Sequence, residues 1–169
     1  MRSVFGGSPP ETDAERNERR STFDRMRDAF GTLDGEIQVE FVVDELWSLS
    51  AGASPFVVEQ IAHAAESLAH VARRTELHTV VALTRPESSA VRAERARIVF
   101  SEVRPWLSKL DNDERGHFLV RALEQLSGHV DERTVAPIER QRERLVREVL
   151  QPHRARLASA WHDDDLWSE

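Results

Sequence analysis

The stretch from Glu36 to Ser50, EIQVEFVVDELWSLS, decides between the two folds open to this chain. Its first half alternates apolar and polar residues as a half-buried strand does, with the apolar residues at Ile37, Val39, Phe41 and Val43. The whole stretch also fits the spacing of an amphipathic helix, with apolar residues at Val39, Val42, Val43, Leu46 and Trp47. We predict a helix, because the helical pattern continues where the alternation stops.

Helix start and stop signals lie on both sides of this stretch. Thr12 and Glu15 have the spacing of a capping box, and Ser54-Pro55 combines a capping serine with a proline at the first helical position. Proline is favoured there because its missing N–H is not needed in the first turn. Further boundaries are predicted at Ser88, Asp113, Gly128, and Asp131 or Pro137.

These signals predict an all-α fold, an irregular helical bundle or a short stack of helical hairpins with five to seven helices. The alternative is an α/β fold with a small parallel sheet, in which 36–43 and 77–83 are strands and 54–74 is the crossover helix between them. We expect a flexible N-terminal arm over 1–10 and a single helical domain over 11–161. An acidic-aromatic tail is expected over 162–169.

Composition excludes several classes of protein. The 169 residues are 40% hydrophobic, which suffices for one domain with its own core. The chain has no cysteine, so it forms no disulfide and no thiolate metal site. The net charge of −7 disfavours nucleic acid as a partner. No apolar run reaches the length of about 18 residues that a membrane span needs, so we expect a cytoplasmic protein.

The sequence contains no recognisable catalytic, nucleotide-binding or metalloprotease motif. We therefore expect no enzymatic activity and no cofactor. The first hypothesis for function is an adaptor or assembly subunit that binds a protein partner, or a copy of itself, through helical faces and terminal segments. Acidic residues beside aromatic anchors suit docking into a basic-rimmed apolar pocket, so the predicted partner-binding residues are Asp163, Asp164, Asp165, Leu166 and Trp167.

A second hypothesis is a helical DNA-binding regulator. An arginine-rich helix is predicted over 133–147, after a preceding helix and a glycine turn. Arg140, Arg144 and Arg147 fall on one face of it and could contact phosphates. Glutamates are interleaved among them, which also fits ordinary surface ion pairs.

A third hypothesis is a metal-binding helical protein. Histidines and glutamates are spaced 4, 3 and 4 residues apart along the predicted helix over 54–74, at Glu59, His63, Glu66 and His70. Side chains of these types at this spacing can hold a divalent metal ion. This stripe lies opposite the apolar face of the same helix, so we expect it to face solvent.

Overall fold

The computed structural model describes residues 11–49, 52–74 and 88–164. For 161–164 it describes the backbone alone. These ranges contain seven α-helices and no β-strand. The helices are α1 (Asp13–Gly31), α2 (Gly35–Ser48), α3 (Pro55–Ala72), α4 (Ser89–Leu107), α5 (Asn112–Gln125), α6 (Glu132–Leu145) and α7 (Gln151–Asp164). A π-helical turn, Val146–Leu150, joins α6 to α7. The predicted all-α fold is confirmed.

Helix α2 resolves the ambiguity of the sequence around residue 40. Val39, Val42 and Leu46 are buried, as their helical spacing predicts. Phe41 is buried as well, because its ring packs against Phe30 of α1 and stacks on Phe100 of α4, so α2 turns a second side to the core. The strand alternative is therefore wrong for 36–43, and 77–83 lies outside the described residues.

Side chains at the helix starts satisfy backbone N–H groups that have no partner within the helix. Ser54 Oγ accepts a hydrogen bond from the N–H of Val57 at 3.3 Å. The Asp131 carboxylate accepts one from the N–H of Thr134 at 2.7 Å. Hydrogen bonds from the hydroxyl and the N–H of Thr134 hold the pKa of Asp131 below its usual value. Each cap therefore fixes the residue at which its helix begins.

Helix α3 lies at the centre of the packing, in contact with α5, α6 and the π-helical turn. Gly116 on α5 allows a close approach, since a Cβ at this position would overlap Cγ1 of Val57 on α3. Helix α1 packs on α5, and α4 packs on α1. Helices α1, α2, α4 and α5 share an aromatic cluster with ring centroids 5.1–5.9 Å apart, made of Phe23, Phe30, Phe41, Phe100, Trp106 and Phe118.

Helix α7 leaves the bundle after the π-helical turn. Arg154 on α7 contacts Glu59 on α3 at 3.2 Å, and residues 154–160 are all exposed. The helix continues to Asp164, three residues into the segment expected to be a tail. Residues 1–10 and 165–169, which include Asp165, Leu166 and Trp167, lie outside the described residues. Within the described ranges, no helix combines the length and the apolar character needed to cross a bilayer.

Candidate functional site

A cavity of about 470 Å³ opens between α1, the end of α4 and the start of α5. Its apolar floor consists of Phe23, Trp106 and Leu110. Phe23 meets Trp106 edge to face at 5.8 Å and Phe118, which is fully buried, at the same distance. Aromatic pairs in this geometry hold one another in place, so the core fixes the shape of the floor.

The rim of this cavity is rich in arginine. Five arginines and two carboxylates line it, which is a formal excess of three positive charges. Four of the five arginines come from α1, and the residues concerned are Arg16, Arg19, Arg20, Arg27, Arg121, Asp24 and Glu114. Helical spacing of i, i+4, i+7 and i+11 brings Arg16, Arg20, Phe23 and Arg27 onto one face of α1. This face places positive charge on either side of an aromatic ring.

The rim arginines differ in how they are paired. Arg19 bridges Glu11 at 2.9 Å and Glu114 at 2.8 Å, and its side chain is 58% exposed. Arg121 pairs with Glu124 at 2.8 Å. Exposed pairs of this kind contribute only about 0–1 kcal/mol each, so a ligand carboxylate can replace the partner at little cost.

Arg16 and Arg27 are also paired, each with acidic residues of α1 itself. Arg16 contacts Asp13 at 3.0 Å, and Arg27 contacts Asp24 at 3.2 Å and Asp28 at 3.1 Å. Arg20 makes no ion pair with any other residue in the parts of the chain that the structure describes. Arg20 is thus the rim cation most readily available to a ligand.

A second cavity of about 740 Å³ adjoins the first, between α3 and α5. The two cavities share Phe23, His117 and Arg121, and together they form one depression across α1, α3 and α5. We call this depression the Phe23 groove. Its α3 side is lined by Gln60, His63, Ala64, Ser67, Leu68 and Val71. The groove therefore continues beyond the arginine rim along about three turns of α3, where its lining is half polar and half apolar.

The predicted metal-binding residues lie where the sequence places them, on the outer face of α3. Glu59, His63, Glu66 and His70 are all exposed, as expected. Glu59 is engaged by Arg154, and His63 is the member of the four that lines the Phe23 groove. Among residues 11–49, 52–74 and 88–164, no group of three or more His, Asp or Glu has an arrangement that could hold a metal ion.

The predicted phosphate-binding arginines of α6 and the π-helical turn are not all available to bind phosphate. Arg140 and Arg147 are exposed, but the Arg144 side chain is only 16% exposed. Arg144 donates a hydrogen bond of 2.6 Å to the carbonyl oxygen of Leu46 and one of 3.0 Å to Glu148. Its guanidinium also lies 5.1 Å from the ring centroid of Trp47. Arg144 thus fastens α6 to the end of α2.

The predicted partner-binding tail is described only in part. The backbone of Asp163 and Asp164 belongs to α7, while the side chains of 161–169 lie outside the described structure. The Phe23 groove was not predicted: the spacing of Arg16, Arg20 and Arg27 around Phe23 marks an arginine-rich face of α1, but not the helices that complete the groove. No protein-family model, curated protein or solved structure matches this chain.

Proposed function

We propose that this chain is a non-enzymatic interaction protein that binds an acidic, aromatic-containing segment of a protein in the Phe23 groove. The observation that carries the proposal is the combination of an aromatic floor with an arginine rim. Aromatic and arginine side chains dominate the binding energy of protein interfaces, because they bury large areas and form several directional bonds.

The two parts of the groove have separate roles in this proposal. A tryptophan, phenylalanine or leucine of the ligand packs on Phe23, Trp106 and Leu110, and contributes about 1.5–3 kcal/mol per buried side chain. Ligand carboxylates on either side of that anchor take the place of the acidic residues that pair with Arg19 and Arg121. A ligand carboxylate also binds Arg20, which has no partner to displace. Such charges speed association and fix the direction in which the segment lies.

The two other hypotheses have less support. In the nucleic-acid hypothesis, Arg144 is not available to a phosphate group, because it is hydrogen-bonded to Leu46 and Glu148. Only Arg140 and Arg147 of the three predicted arginines are left to bind phosphate. Metal binding through α3 requires ligands that converge, and the four residues of the stripe lie along one exposed face.

Selection of random peptides on the full-length chain tests the proposal. We expect enrichment of peptides with Asp or Glu next to Trp, Phe or Leu. The variant Arg20→Glu/Arg121→Glu should bind the enriched peptides at least tenfold more weakly, as measured by fluorescence anisotropy. The matched control is Arg140→Glu/Arg147→Glu, which makes the same charge change on exposed arginines that do not line the groove and should bind as the wild type does.

Two results contradict the proposal. One is that no peptide is enriched, and the other is that the enriched peptides bind the Arg20→Glu/Arg121→Glu variant as tightly as the wild type. Salt-sensitive binding of duplex DNA that disappears in the Arg140→Glu/Arg147→Glu variant would instead favour the nucleic-acid hypothesis.

A further inference from the structure

We infer that the Phe23 groove receives the segment Asp163–Trp167 of a second copy of this chain, so that copies associate head to tail. This inference rests on the proposed function, and it names the ligand. The segment reads Asp-Asp-Asp-Leu-Trp, which places three carboxylates directly before two apolar anchors. Carboxylates and large apolar side chains are the two kinds of group that the arginine rim and the aromatic floor would recognise.

Charge complementarity supports this occupant. Arginines outnumber carboxylates among the residues that line the rim, and the segment carries three aspartates that would replace the acidic partners of those arginines. Arg20 is unpaired within the described residues, and each of the remaining rim arginines is held by an ion pair at the surface. Adjacent aspartates repel one another in the free segment, and neutralisation by the rim removes that repulsion. Binding is consequently expected to weaken as the ionic strength rises.

The course of α7 explains why a second copy is the source. The contact between Arg154 and Glu59 ties the start of α7 to the bundle, and all residues over 154–160 are exposed. From Arg154 to Asp164 the helix advances about 15 Å along its axis. Leu166 and Trp167 are the second and third residues after Asp164 in the sequence. A segment at the end of an unpacked helix is presented to another molecule more readily than to the groove beside its own core.

Head-to-tail association has a defined geometry. The groove and the segment are different surfaces, so each contact uses the groove of one copy and the segment of its neighbour. Such heterologous contacts produce a closed ring or an open chain, whereas a twofold dimer uses the same surface twice. Loss of either surface on one copy therefore leaves the other surface of that copy functional.

Mixing of two full-length variants tests the inference. The groove variant is Arg20→Glu/Arg121→Glu, and the segment variant is Leu166→Ser/Trp167→Ser. In sedimentation velocity, the wild type should assemble with rising concentration, and each variant alone should stay monomeric. An equimolar mixture should form one-to-one pairs and nothing larger, since it contains one working groove and one working segment per pair. The changed groove residues are exposed, so unchanged thermal unfolding serves as the check on folding for both variants.

The outcomes are distinct. A monomeric wild type, a monomeric mixture, or assembly that survives in either variant alone overturns the inference. A synthetic peptide covering residues 161–169 separates it from the proposed function. If selected peptides bind the groove and this peptide does not, the inference fails and the proposed function stands. If neither binds, both fail.

Discussion

Helices α3 and α7 differ in how they are held, although both carry many small residues. Helix α3 buries Val57, Ile61 and Leu68 between α5 and α6. Helix α7 has one large apolar residue among its described side chains, Leu157, and it is 48% exposed. A helix packs when its apolar residues recur every third or fourth position, and α7 lacks that recurrence. The centre of the bundle thus determines stability, and α7 remains accessible to other molecules.

A large effect is expected for Gly116→Ala, at the contact between α5 and α3. The added Cβ would overlap Cγ1 of Val57, which is buried and, as a β-branched residue, has little rotational freedom. We expect a loss of about 2–3 kcal/mol in the free energy of unfolding, measured with urea. Most of this loss should disappear when Gly116→Ala is made in a Val57→Ala background. A gain of about 1 kcal/mol, as for an unconstrained helix, would contradict the close approach.

The next effect concerns Arg115, whose side chain is 19% exposed and pairs at 2.9 Å with Glu45, which is 13% exposed. Arg115→Ala leaves this carboxylate largely buried without a partner, so we expect a loss of about 2 kcal/mol. Arg121→Ala, on the exposed side of the same helix, should cost less than about 0.5 kcal/mol. Equal losses in urea unfolding would show that the two sides of α5 do not differ as described.

The fold could be predicted from local signals because each helix carries its own. The capping box of Thr12 and Glu15 marked the start of α1, and both of its hydrogen bonds are present. Gly128 was expected to end a helix, and its φ of 83° is the left-handed conformation that glycine favours. Trp47 was expected in the apolar face of α2 but is 67% exposed, because the end of α2 is covered by Arg144 rather than by another helix.

The groove could not be predicted in the same way, since it depends on which helices become neighbours. Arg19 and Glu114 form one edge of it and lie 95 positions apart in the sequence. Phe23 and Trp106 form its floor from α1 and α4. Periodicity identifies the buried side of each helix, but it does not identify the helix that lies against that side. The arginines of α1 therefore looked like an ordinary charged surface.

A smaller effect is expected for Arg144, which ties the end of α2 to α6. Arg144→Ala removes the hydrogen bond to the carbonyl of Leu46 and the contact with the Trp47 ring. We expect a loss of about 1 kcal/mol in the free energy of unfolding. Arg140→Ala is the matched control on the same helix, and it should change stability by less than about 0.5 kcal/mol. Indistinguishable losses for the two variants would argue against a structural role for Arg144.

A further effect depends on pH and concerns the cap of α6. The folded-state pKa of Asp131 is lowered by the hydrogen bonds from Thr134, so its contribution is present above the unfolded value of about 3.9. That contribution is lost as the pH falls through the folded pKa. Asp131→Asn keeps a capping oxygen without this titration. Thermal unfolding should show the wild type more stable than the variant near neutral pH, and the difference should close in acid. A difference that is constant with pH would contradict this assignment.

The smallest effect on stability is expected in α7. Leu157→Ser should alter the free energy of unfolding by no more than about 0.5 kcal/mol, because the side chain is already largely in water. Leu68→Ala, at a buried site of α3, should cost about 2–5 kcal/mol in the same urea experiment. A loss above about 1 kcal/mol for Leu157→Ser would mean that α7 packs on the bundle after all.

The π-helical turn at Val146–Leu150 is a point at which the rotation of α7 about its own axis can change while the rest of the fold stays the same. Such a turn accommodates one residue more than a regular α-helical turn does, and each residue of an α-helix corresponds to about 100° of rotation. Deletion of one residue there would change the rotation of α7 relative to α6. It would swing every α7 side chain about 100° around the axis while α1 to α6 kept their register. Insertions and deletions at this point are therefore a simple evolutionary route to changing the direction in which the α7 side chains point.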